Sequence, residues 1–263
     1  MSQATSACGD IVRRHDPDRF LLSLLAPAAV RDDLCALYAF NHEIAKTREV
    51  VTETQLGLIR LQWWRDAVAA IYTAGADVPE HPVIAGLQKA VYTHGLAQER
   101  LDALIYAREF DLEDRLPANM QGLVYYADYT MTPLLELSCA IAAPDSKAEV
   151  TDIAVGYALT GLLRATPLHL SQRRCYLPAD RLPMIHRHYE GKELESFVPV
   201  VRDVASEARA RLEKPATNLP RVARGHRKLA LMYLRQIEKA GFDLFAPALR
   251  VPPVFKELRI LFA

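Results

Sequence analysis

Arg31-Asp-Asp-Leu-Cys-Ala-Leu-Tyr-Ala-Phe40, continuing through Asn41-His-Glu-Ile-Ala-Lys-Thr-Arg-Glu49, is the stretch on which the fold turns. Leu34, Leu37, Tyr38, Asn41 and Ala45 recur at steps of three and four, so they share one stripe of a helix instead of alternating across a strand. The same period extends in both directions. It predicts helices over Ala28 to Glu49, over Gly57 to Tyr72, and over His81 to His94 with Gly95 near its end. Further helices are expected over Gln98 to Leu116, stopped by Pro117, and over Asn119 to Ile141, with room for a kink at Pro133. Lys147 to Ala165 follows, interrupted by Pro167, then a basic irregular stretch from Ser171 to Pro183. Helical patterns resume over Leu194 to Leu212, Arg224 to Ala240 and Val254 to Phe262. No period-2 run with turn flanks competes. The expectation is an all-α, single-domain chain over residues 20–263, preceded by an N-terminal extension of residues 1–19, with no repeat and no dividing linker.

Composition narrows the function. At 263 residues, 51% hydrophobic and 24% charged, the chain can bury a substantial core and is not of the disordered class. Lys and Arg number 32 and Asp and Glu 32, so no overall cationic excess is available to neutralise nucleic-acid phosphates. The charge is uneven, however: Ser171 to Ala230 carries 13 Lys and Arg against 7 Asp and Glu. Such a segment is either a solvated basic face or a surface for an anionic ligand, lipid headgroup or acidic partner. No stretch reaches the ~18–20 apolar residues of a membrane span. Cys8, Cys35, Cys139 and Cys175 are scattered without metal-binding spacing, which fits a reducing, cytoplasmic compartment.

Four segments together resemble the squalene/phytoene synthase family, all-α enzymes that join two prenyl diphosphates head to head. They are the opening stretch, then Gly57-Leu-Ile-Arg-Leu-Gln-Trp-Trp-Arg-Asp-Ala67, then Leu123-Val-Tyr-Tyr-Ala-Asp-Tyr-Thr-Met-Thr-Pro133. The fourth is Ala158-Leu-Thr-Gly-Leu-Leu-Arg-Ala-Thr-Pro167, leading to Arg173-Arg-Cys-Tyr-Leu-Pro178. Order and spacing match over roughly Phe20 to Ala210, and Phe242-Asp-Leu-Phe-Ala-Pro247 extends the likeness. The resemblance implies an isoprenoid-synthase-like helical bundle around a central cavity. It also implies two Asp-rich helix faces that hold Mg²⁺ on the diphosphate, since carboxylates at i and i+4 share a face and Mg²⁺ takes oxygen ligands.

This chain departs from that pattern at both clusters. Where the first motif has two adjacent aspartates and a third three residues on, it has Ala45, Lys46 and Glu49. At the second motif the leading position is Ala165 and the trailing one His169, with Pro167 between, and Gly161 stands for the asparagine ahead of it. No catalytic residue and no cofactor are therefore expected. Mg²⁺ returns only on the alternative that an active prenyltransferase survives with rearranged ligands such as Glu49 and His169. A third alternative is a prenyl- or lipid-binding protein. The combination of motifs resembles a branch of the superfamily that includes a mitochondrial assembly factor of respiratory complex I and its bacterial relatives. That resemblance implies a protein partner, such as a complex I subunit, an isoprenoid or lipid ligand, and a cytoplasmic place peripheral to the inner membrane.

The binding candidates are Asn41, Arg60, Trp63, Trp64, Arg65, Arg164, Arg173, Arg174 and Tyr176. Adjacent Trp63 and Trp64 project about 100° apart on a helix, so either both fill the core or one stays outside near Arg60 and Arg65 as an interaction anchor. Arg164, Arg173 and Arg174 either line a leftover anion pocket or pair with the acids Glu109, Asp111, Glu113 and Asp114. Asp111 reads as a helix-surface acid, and His186 and His188 as a surface turn rather than a metal site. The stripe Phe255, Leu258 and Phe262 suits a packing helix or, alternatively, peripheral docking on a membrane or partner.

Overall fold

The computed structural model describes residues 6–51, 53–113, 116–182 and 194–262, and among them every regular element is helical. The chain forms two compact units. Residues 1–113, 133–148 and 218–223 make up unit 1, and residues 114–132, 149–217 and 224–263 make up unit 2. The chain crosses between them repeatedly, so no linker marks the division.

Unit 1 is built around the opening stretch. It forms α3, Arg31–Ala45, in which eleven of fifteen residues are buried. Leu34 to Phe40 are buried without a break, so the predicted stripe is a helix apolar all round, which places it centrally. Ahead of it lie α1, Ala7–His15, and α2, Pro17–Ser23. Sequence periodicity did not reveal these, yet their caps are strong. The Ser6 hydroxyl accepts from the Gly9 N–H at 3.1 Å, and the Asp16 carboxylate accepts from the Arg19 N–H at 2.9 Å with Pro17 in the first turn. Residues 7–19, set apart as an extension in the sequence reading, fold onto unit 1, with Cys8 and Val12 buried. The short α4, Thr47–Val50, and then α5, Thr54–Tyr72, α6, Pro82–His94, α7, Gln98–Ala107, and α8, Glu109–Leu112, complete this part. Gly95 ends α6 in the left-handed conformation, as its place in the sequence predicted.

Asp33 ties α3 to α6. Its carboxylate accepts from Lys89 Nζ at 2.8 Å and lies 3.0 Å from His94 Nε2. Burial pushes its pKa up, but the bonds and charges of Lys89 and His94 outweigh that and hold it below the ordinary carboxylate value. A depressed folded pKa gives stability that is present above the unfolded pKa of about 3.9 and is lost as pH falls through the folded value. Asp33→Asn is therefore expected to lose about 1–2 kcal/mol at neutral pH. The deficit should shrink in acid, as pH falls through the lowered folded value and wild-type Asp33 itself protonates. Urea titrations at the two pH values check this, and a deficit independent of pH would locate the effect in shape rather than charge.

α9, Met120–Ala142, is one helix that contains Pro133, and the division of the chain into units falls at that residue. Unit 2 contains the first half of α9, then α10, Thr151–Ser171, α11, Phe197–Leu212, α12, Arg221–Lys239, from residue 224 onward, and the short α13, Lys256–Leu261. The expected interruption at Pro167 does not occur. Proline removes one backbone donor there, while Leu163, Thr166 and Leu170 continue the buried face across it. α10 and α11 pack closely because Gly156 has no side chain: a Cβ there would lie 2.6 Å from Leu212 Cγ and 2.9 Å from the Ala208 carbonyl oxygen.

All four cysteines are buried free thiols. Burial raises the thiol pKa to about 11 at Cys8 and Cys175 and about 12 at Cys139, so these are small apolar side chains, not nucleophiles.

Candidate functional site

The motif positions occur in each unit and are described unit by unit. In unit 1, the C-terminal end of α3 carries Ala45, which is half-buried, Lys46, and beyond it the exposed Glu49. The nearby carboxylate that is buried belongs to Glu43. It sits one turn before Lys46 and bonds Lys46 Nζ at 2.5 Å and Arg60 Nη2 of α5 at 3.0 Å. One anion is thus shared by two cations, each of which keeps about a third of its side chain in water. A second clamp lies beside it: Arg108 donates to Asn41 Oδ1 at 3.2 Å and pairs with Asp111 at 3.4 Å. Asp111 is buried rather than a surface acid, because α8 turns it inward onto Arg108.

The two tryptophans divide. Trp64 is buried, with its ring edge-on to Phe40 and His81, while Trp63 is 41% exposed and sits edge-on to Trp64 and His81. Arg65 bonds Glu109 at 2.8 Å, so both arginines that flank the tryptophans are engaged by carboxylates of unit 1.

In unit 2, Ala165 and His169 lie half-buried one turn apart on α10. The His169 ring meets Tyr176 at 4.8 Å, and Tyr176 stacks on Tyr126 of α9 at 5.1 Å. Arg164 lies on a neighbouring face, its guanidinium 3.3 Å from the Tyr233 ring centroid. Arg173 and Arg174 close the helix: the Arg173 N–H bonds Leu170 O at 3.0 Å and the Arg174 N–H bonds His169 O at 2.8 Å. Arg173 takes the left-handed position with φ 57°, which a glycine usually fills. Asp114, His186 and His188 lie outside the described residues.

Mg²⁺ does not suit the donors at these positions. Unit 1 offers a lysine and one exposed glutamate, and unit 2 an alanine and an imidazole, where a hard cation needs several oxygens. Among the described residues, no group of three or more His, Cys, Asp or Glu is placed to hold a metal ion. Glu43 and Arg108 were not among the binding candidates. The i, i+3 spacings Glu43–Lys46 and Arg108–Asp111 were the signal that could have found them.

The family model described as squalene/phytoene synthase matches residues 12–256. The chain belongs to the squalene/phytoene synthase family. Within that family it is similar to the bovine (Bos taurus) protein named NADH dehydrogenase (ubiquinone) complex I, assembly factor 6. The two are 36% identical over 265 residues, covering 92% of this chain and 76% of the bovine one. The human (Homo sapiens) protein of the same name is 34% identical, with the same shares covered. Among solved structures, squalene synthase HpnC from Alicyclobacillus acidocaldarius superposes with a TM-score of 0.74 at 17% identity. That match covers 90% of this chain and 93% of the other, and it shows the all-α fold the two share.

Proposed function

We propose that this protein is a catalytically degenerate squalene/phytoene synthase that serves as an assembly or binding factor for respiratory complex I. The observation that carries the reading is the Lys46–Glu43–Arg60 clamp. An ionisation that expels diphosphate needs cations aimed at the departing oxygens. Here Lys46 and Arg60, beside the first motif, are both drawn onto the protein's own Glu43 carboxylate, and no second carboxylate set stands at Ala165 and His169. The similarity to proteins named as complex I assembly factors supports the role that remains. In it, the helical scaffold is a binding body for a protein partner, such as a complex I subunit, and the exposed edge of Trp63 is a suitable anchor. Among the described residues no helix is long and apolar enough to cross a membrane, so contact with a membrane-bound complex would be peripheral.

Two measurements test this. Purified protein given farnesyl diphosphate and Mg²⁺ should form no head-to-head product, and a product would overturn the degenerate reading in favour of rearranged ligands. Cells lacking the gene should hold less assembled complex I on native gels, restored by the wild-type gene. Unchanged levels would remove the assembly role.

A further inference from the structure

The C-terminal end of unit 2 is arranged unlike a packing helix. Gln236 Nε2 donates to the Val251 carbonyl at 3.1 Å, and Lys228 Nζ donates to the Phe262 carbonyl at 3.0 Å. The segment 251–262 therefore runs antiparallel along α12, clamped at both ends. Its inner side is buried through Pro253, Lys256 and Ile260. Its outer side presents Val251, Val254, Phe255, Leu258, Leu261 and Phe262, of which Phe255 is 72% and Phe262 77% exposed. Glu257 and Arg259 interrupt the strip, yet six large apolar side chains exposed within residues 251–262 are more than a monomeric surface usually leaves in water.

Two further observations say what covers it. Phe255 has φ 56°, a left-handed conformation that its Cβ disfavours, and its aromatic ring is largely solvated there. The surroundings are cationic: residues 221–263 contain nine Lys and Arg against three Asp and Glu, in a chain whose net charge is zero. Arg250 and Arg259 lie within or beside the strip itself, and Arg224 and Arg235 are on α12. An adjoining groove of about 310 Å³ shares Leu249 and Arg250 with this end and adds Arg164.

We propose that this strip docks on an anionic lipid bilayer, with its aromatic and aliphatic side chains entering the interface and the surrounding cations meeting headgroup phosphates. Apolar burial and charge attraction together are what hold a protein on a membrane surface without spanning it. A protein partner with a matching apolar face would need no such cationic field, and the charge decides for the lipid. The inference does not depend on the assembly reading, because vesicle binding and complex I levels can fail separately.

Cosedimentation of the full chain with vesicles tests it. Binding is expected to phosphatidylcholine vesicles carrying about one third phosphatidylglycerol, at least about ten-fold weaker to pure phosphatidylcholine, and lost at about 0.5 M salt. Phe255→Asn with Phe262→Ser should weaken binding by about ten-fold or more, and Arg250→Gln with Arg259→Gln by about five-fold for each charge removed. All four side chains are at the surface, so circular dichroism should be unchanged, and Phe255→Asn should melt no lower than wild type because asparagine tolerates the left-handed position. Equal binding to neutral and anionic vesicles, or variants that bind like wild type, would overturn the proposal. So would a dimer that the aromatic variants dissociate, which would assign the strip to a second copy of the chain.

Discussion

Gly156→Val is expected to destabilise unit 2 by about 3 kcal/mol or more, with Gly156→Ala smaller at about 1–2 kcal/mol. The hydrogen at Gly156 faces the side chain of Leu212 and the backbone carbonyl of Ala208, and a Cβ would approach both inside van der Waals contact. Leu212 can give way by rotating, but the carbonyl is part of α11 and moves only with its helix. Alanine recovers some of this through its better helix propensity, about 1 kcal/mol over glycine, whereas valine adds branched bulk. A double-mutant cycle locates the strain. Leu212→Ala alone should cost about 2–4 kcal/mol as a buried truncation. In the Gly156→Ala background it should cost at least about 1 kcal/mol less, since it also removes the collision. Additive denaturation energies would show that α10 and α11 separate freely and that the close approach has no energetic weight.

What the sequence could and could not convey follows from the same local physics. The period of Leu34, Leu37 and Tyr38 marked α3 as a helix, but only packing shows that its other faces are also buried. Gly95 was legible as a stop because a left-handed cap has a residue preference. Phe255 and Arg173 adopt the same conformation with no such signature, and so could not be read. Pro167 misled because a proline's missing donor ends a helix only when nothing else holds the next turn, and here Thr166 and Leu170 are held by the core. α1 and α2 were missed for the opposite reason: seven- and nine-residue helices offer too few turns for a period, and their evidence was in the caps at Ser6 and Asp16. At the positions that the resemblance matches to the motifs, the sequence shows Ala45, Lys46, Ala165 and His169. That Lys46 is turned onto Glu43 together with Arg60 was not legible there, because the three-way arrangement needs α5 brought against α3.

That arrangement gives the second large effect. Glu43→Ala leaves Lys46 and Arg60 facing each other without the anion between them. Removing one member of a buried ion pair usually costs about 3–5 kcal/mol, but here both cations are about a third exposed and can regain water, which brings the expectation to about 2–3 kcal/mol. Lys46→Ala should cost under about 1 kcal/mol, because Glu43 keeps Arg60. The informative measurement is what an external anion then does. Inorganic diphosphate without metal should leave the melting temperature of the wild type unchanged, since its cations are satisfied internally. It should raise that of Glu43→Ala by several degrees, because the freed ammonium and guanidinium groups now offer a site for phosphate oxygens. Glu43→Gln should behave like the alanine variant toward diphosphate while losing less stability, because it keeps the shape and one acceptor. If the wild type is stabilised by diphosphate as strongly as the variants are, Glu43 does not close this end of α3 to anions, and the clamp no longer supports the proposed loss of catalysis.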